Sequence, residues 1–184
     1  MKKLFAVLLM IPMAIVAQDF TPEQLLTNAR NGALLFRLRT NAKKIEALKL
    51  KGRHEEAVKL EKQTQEEHNA WKNAFKEAYS FGKVYFFYDQ DARKIANGTM
   101  NGVFTADGLS VEEKMDFIVA GLTETENYSI DGMEILAPNM KEVPKGMPSF
   151  ISAYGFLRLS RKSPLKMVET LNDSMYRYLH KVEK

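Results

Sequence analysis

Hydrophobic and polar positions divide the chain into stretches with different periods. Phe20-Thr21-Pro22-Glu23-Gln24-Leu25 carries a helix start: Thr21 caps, Gln24 returns the bond, Pro22 takes the first helical position and Phe20 staples onto Leu25. Leu35, Leu38, Ala42, Ile45 and Leu48 then recur at three- and four-residue spacing, which predicts one helix running to Leu50. Its first part, LLTNARNGALLF, is apolar on nearly every side and is expected to pack on the rest of the protein. Gly52 punctuates the run. A second helix follows, with Ala57, Leu60, Thr64, Trp71, Ala74, Phe75 and Ala78 at helical spacing. Together these predict an antiparallel helical hairpin over residues 18–80 with its tip near Gly52.

Beyond residue 81 the period changes. Val84 to Tyr88, VYFFY, is apolar at every position, as a central strand covered on both faces would be. Asp116 to Leu122, Met133 to Leu136 and Ser149 to Tyr154 read as further strands, with a shorter one at Gly102 to Thr105. Ser163-Pro164 starts a last helix, whose buried stripe is Val168, Leu171, Met175 and Leu179. The predicted class is α+β: a long N-terminal antiparallel helical hairpin on a small mixed sheet, closed by a C-terminal helix over an α/β region of residues 81–184. A thioredoxin-like sheet lacking CxxC is the alternative. Its support is Gly146-Met147-Pro148-Ser149-Phe150-Ile151, which looks like the segment where a thioredoxin carries a cis-proline before a strand, together with strands spaced around residues 84, 117 and 149.

Residues 1–17, MKKLFAVLLMIPMAIVA, have the layout of a secretory signal peptide: two lysines, an apolar run from Leu4 to Val16 and a small Ala17. The run is too short for a span of roughly 20 residues. The expected location is therefore periplasmic or secreted, with no transmembrane span after cleavage. Losing Lys2 and Lys3 takes the formal charge from +4 to +2, so the basic balance is no nucleic-acid signature. With 0 cysteines, disulfides, thiolate metal sites and Cys nucleophiles are excluded.

Charge is unevenly spread. Residues 30–53 hold eight basic side chains and one acid, Glu46, whereas residues 54–77 hold six acids and four lysines. A hairpin folded at residue 52 would set Lys49 against Glu55, Lys43 against Glu61 and Arg37 against Glu67. Arg30, Arg37, Lys44 and Lys51 recur every seven residues and would line one helix face. Such a basic track suits a protein partner or an anionic envelope surface, although charge runs on helices are commonly solvated faces.

Candidate chemistry is sparse. Asp89 and Asp91 follow the VYFFY strand, where enzymes of the haloacid dehalogenase type hold a magnesium ion between carboxylates. Ala92-Arg93-Lys94 departs from that pattern, and aspartates at a strand end also start turns. His54, His68 and His180 lack metal-ligand spacing and read as surface histidines. Tyr85, Phe86, Phe87 and Tyr88, with Met115, Met133 and Met147, would line a hydrophobic pocket or simply form core. No catalytic residue, metal site or cofactor is assigned.

Across TNAKKIEALKLKGR, FGKVYFFYDQD and SPLKMVETLN the chain resembles an uncharacterised family of small exported bacterial proteins. That resemblance implies export and no assigned activity. The expectation is a non-enzymatic envelope or secreted interaction module. The alternative is a small-ligand binder or metal-dependent enzyme using Asp89 and Asp91.

Overall fold

The computed structural model describes residues 20–124, 131–154 and 160–183. The signal-like segment 1–17 lies outside the described residues. Helix α1 (Pro22–Thr27) begins with the expected capping box, Gln24 N donating to Thr21 Oγ1 and Thr21 N to Gln24 Oε1. A wider π-helical turn, Asn28–Gly32, continues it. The chain then extends as β1 (Ala33–Leu38) rather than remaining helical. Asn41, in left-handed conformation, turns it into α2 (Ala42–Leu50), and α3 (His54–Ala78) returns. Next come β2 (Lys83–Tyr88), a 3-10 turn at Asp89–Asp91 and α4 (Ala92–Ala96). Strands β3 (Phe117–Glu124), β4 (Asp131–Leu136) and β5 (Phe150–Ser152) precede α5 (Pro164–Val182).

The class is α+β, with a five-stranded mixed sheet ordered β2-β1-β3-β4-β5 and a C-terminal helix. Strands β1, β2 and β3 are parallel; β4 and β5 are antiparallel additions. The main correction concerns residues 33–38. Leu34, Phe36 and Leu38 enter one buried cluster, and Ala33 and Leu35 enter another on the opposite face. An apolar run buried on both faces has no polar period, so helix and strand look alike within it. The five-position helical stripe therefore crossed an element boundary: Leu35 and Leu38 belong to β1, and only Ala42, Ile45 and Leu48 to α2. Strand β1 also draws the first half of the chain into the same sheet as the second.

Strand β2 is covered on both faces, Phe86 in one cluster and Phe87 in the other, but it is the edge of the sheet and not its centre. Phe104 closes that edge by exchanging two backbone hydrogen bonds with Phe86, at 2.8 and 2.9 Å. This bridge, and a second one between Phe104 and Ser110, are what remains of the expected Gly102–Thr105 strand. Among the described residues no peptide bond is cis, so Pro148 is not the cis-proline to which the thioredoxin alternative likened it.

Helices α3 and α5 cover one face of the sheet. Phe36 of β1 lies 5.0 Å from the Trp71 ring and 4.8 Å from Phe75, and α5 buries Met167, Val168, Leu171, Met175 and Leu179. Helix α4 and the loop to β3 cover the other face through Ile95, Met100 and Val103. Among the described residues no helix is long and apolar enough to cross a membrane.

Candidate functional site

Because β1 and β2 run parallel and in register, their carboxyl ends emerge together. Leu38 pairs with Tyr88, and the chain beyond each places Thr40 beside Asp89. Asp89 Oδ1 accepts from Thr40 N at 3.2 Å, Thr40 Oγ1 at 2.7 Å and Gln90 N at 3.0 Å. Asp89 thus ties the two strand ends and starts the turn, which is what an aspartate with several nearby amides does. Asp91 turns away from it. Its Oδ1 accepts from Lys94 Nζ at 2.7 Å, and its Oδ2 lies 2.9 Å from where a Cβ on Gly102 would stand.

The two carboxylates therefore face different clefts. Asp89 lines an open one of about 510 Å³ with Thr40, Asn41, Lys43, Lys44 and Gln90. Asp91 lines one of about 310 Å³ with Lys72, Tyr88, Phe104 and Ser110, in which Lys72 Nζ sits 5.0 Å from the centre of the Phe104 ring. Among the described residues no three histidine, aspartate or glutamate side chains group as metal ligands.

The four basic residues spaced by seven do not share a helix face. Arg30 sits on the π-helical turn and reaches Glu183, the residue that caps the end of α5, at 3.4 Å. Arg37 belongs to β1 and pairs with Glu134 of β4 at 2.7 Å, each side chain about a quarter exposed. It reaches Glu134 by lying across Gly121 of β3, the residue between them in the sheet. Lys44 and Lys51 alone of the four lie on the hairpin, exposed. The expected cross-hairpin pairs change as well. Lys49 meets Glu61 at 2.6 Å rather than Glu55, and Arg37 never faces α3.

The open end of the α2–α3 hairpin, next to the sheet, is tied by part-buried polar groups. Asn41 Nδ2 donates to Thr64 Oγ1 at 2.9 Å, and His68 Nε2 bonds the Arg39 carbonyl at 2.8 Å. Since a carbonyl only accepts, Nε2 is the protonated ring nitrogen there. His68 is buried, contrary to its reading as a surface residue, whereas His54 and His180 are exposed. The proposed aromatic–methionine pocket is split by the sheet. Phe86, Met133 and Met147 lie on one face, and Phe87 lies with Tyr85 and Met115 on the other.

At its far end the hairpin stands clear of the core. Helix α2 buries no residue, and before Thr64 only Ala57 of α3 is buried. Leu50 is 82% exposed and Val58 61% exposed. Gly52, at φ 72°, makes the turn: Arg53 N donates to Leu48 O at 2.9 Å and Gly52 N to Lys49 O at 3.0 Å, closing the helix end. The sequence reading passed over Leu50 and Val58, yet each carries a signal. Leu50 is two residues from half-buried Leu48, about 200° around the helix from it, and Val58 is about 100° from buried Ala57.

No family model, curated protein or solved structure matches the chain.

Proposed function

We propose that this protein is an exported, non-enzymatic contact module, and that the α2–α3 tip is the surface it presents to its partner. One observation carries the reading: Leu50 and Val58 are large apolar side chains left exposed at the end of a projecting hairpin. Of the four large apolar side chains exposed among the described residues, Leu109 and Val182 lie elsewhere in the chain, and Leu50 and Val58 come on either side of the turn at Gly52. Export rests on the lysine-led apolar segment at residues 1–17. The strand ends support a catalytic role less well, because Asp89 is taken up by Thr40 and Gln90, and Asp91 by Lys94.

The reading is tested in living cells with a photo-crosslinking amino acid placed at Leu50 or, as a control, at exposed Lys76 in the last turn of α3. Adducts are expected from position 50 and not from position 76. Equal yields from the two positions, or none from position 50, overturn it.

A further inference from the structure

The chain contains Asn-Gly at three places, residues 31–32, 97–98 and 101–102, and each of the three asparagines is exposed. This pair is chemically labile to an extent that the fold controls. The backbone nitrogen of the glycine can attack the side-chain carbonyl carbon of the asparagine. Glycine has no Cβ to block the approach or to resist the backbone rotation that it needs. An amide held in a hydrogen bond must first give that bond up.

The three pairs sit in different surroundings. Asn31 and Gly32 lie inside the π-helical turn, and Gly32 is wedged so closely that a Cβ there would collide with the Asp116 carbonyl. Asn97 caps the end of α4, and Gly98 N donates to the Ile95 carbonyl at 2.8 Å. Asn101 and Gly102 form the middle of a turn closed by Val103 N, which donates to the Met100 carbonyl at 3.0 Å. Gly102 has φ 96°, and among the described residues its amide has no acceptor.

We infer that Asn101 is a site of spontaneous deamidation, and that the fold confines to it a reaction open to three places in the sequence. Gly102 N bonds to Asn101 Cγ, the Cγ–Nδ2 bond breaks, and ammonia leaves with the proton from the Gly102 amide. Water then opens the cyclic imide. Opening at Cγ gives an aspartate on an unchanged backbone. Opening at the main-chain carbonyl gives an isoaspartate, whose chain runs on through Cβ and Cγ. Nothing is oxidised or reduced.

Both products place a carboxylate one residue from Gly102, where Asp91 Oδ2 already lies 2.9 Å from the Cβ position. Isoaspartate also adds a carbon to the backbone between Met100 and Val103. Phe104, the next residue, covers the outer edge of β2 through its two backbone bonds with Phe86. Conversion of Asn101 therefore loosens that cover and bares part of a sheet edge.

The experiment ages the purified full chain in warm, mildly alkaline buffer, with and without urea. Digestion and mass spectrometry then locate each new carboxylate and isoaspartyl linkage. In the folded chain Asn101 should convert roughly tenfold faster than Asn97, whose glycine must first free its amide, and faster than Asn31. In urea the three rates should converge. Conversion of folded Asn31 or Asn97 as fast as Asn101, or no conversion at Asn101, overturns the inference. So does a preference for Asn101 that persists unchanged in urea. Hydrogen exchange at Phe86 and Phe104 reads the consequence. Protection should fall as the chain ages and hold in Asn101→Gln, whose longer side chain closes the imide far more slowly. Equal loss in that variant overturns the link to the sheet edge.

Discussion

Asn172 of α5 fastens the joint between α3 and β2. Its Oδ1 accepts from Ser80 N at 2.9 Å and from Phe81 N at 3.1 Å, and one turn on, the Tyr176 hydroxyl donates to the Ser80 carbonyl at 3.1 Å. Both amides sit where the helix has ended and the strand has not begun, so neither has a partner in regular structure. Asn172→Ala removes the acceptor from both; exposed Ser80 can turn to water, so the cost of about 1–3 kcal/mol for a stranded group belongs to buried Phe81. Urea unfolding should show that loss, with Asn172→Asp recovering part of it because the acceptor oxygen returns; equal losses from Ala and Asp would refute this role. Nearby, the Tyr79 hydroxyl is buried with no hydrogen-bond partner among the described residues. Burial, with the Tyr176 phenol as a smaller contribution, pushes its ionisation well above the usual tyrosine range, so it stays protonated at any physiological pH. Pairings like that of Asn172 with residues 80 and 81, separated by |i−j| of 92 and 91, leave no local trace in the sequence.

At the scale of elements, the Arg37–Glu134 pair depends on a strand that contributes only space. Its guanidinium lies over Gly121, and a methyl group there would come within 2.9 Å of Arg37 Nε. Gly121→Ala should push the side chain aside, break the pair and destabilise the fold by roughly 1–3 kcal/mol, as overpacking does. In an Arg37→Ala background the same substitution should cost much less. Thermal unfolding of the four proteins in this cycle measures the coupling, and additive effects would show that Arg37 and Gly121 act independently.

The elements that could be read locally were those with a clean period or clean punctuation. Strands β2, β3 and β4 are bounded by glycine, proline and charge, and α5 announces itself through Ser163-Pro164 and its buried stripe. Strand β1 had neither. Its apolar run joined a helical start on one side and a true helix on the other. The seven-residue spacing of Arg30, Arg37, Lys44 and Lys51 inherited that error, since a helical phase has no meaning across a strand. The candidate site suffered likewise. Asp89 and Asp91 were recognisable as strand-end carboxylates, but which cleft each enters depends on Thr40 and Gly102, from other parts of the chain.

Over the whole molecule, stability should grade from the sheet to the tip. Strand β1 has a ladder on each side and a buried cluster on each face, whereas α2 buries nothing. Local opening follows buried contact and backbone pairing. Hydrogen exchange should therefore find the β1 amides among the slowest, requiring global unfolding, and those of α2 exchanging by fraying of the tip. Comparable protection in α2 and β1 would contradict this gradient.

What the sequence determined by itself was local: the capping box at Thr21, the turn at Gly52, most strands, the last helix, and the composition that excludes cysteine chemistry. Periodicity, caps and turn residues act over a few positions, and that is the range a sequence exposes. The tertiary structure decided the rest: that Ala33–Leu38 is a strand beside β2 and β3, that Arg37 faces Glu134, that Asp89 and Asp91 part company, and that Leu50 and Val58 stay uncovered. Each of these depends on which distant segment lies alongside. Burial and pairing are properties of that neighbour as much as of the residue itself.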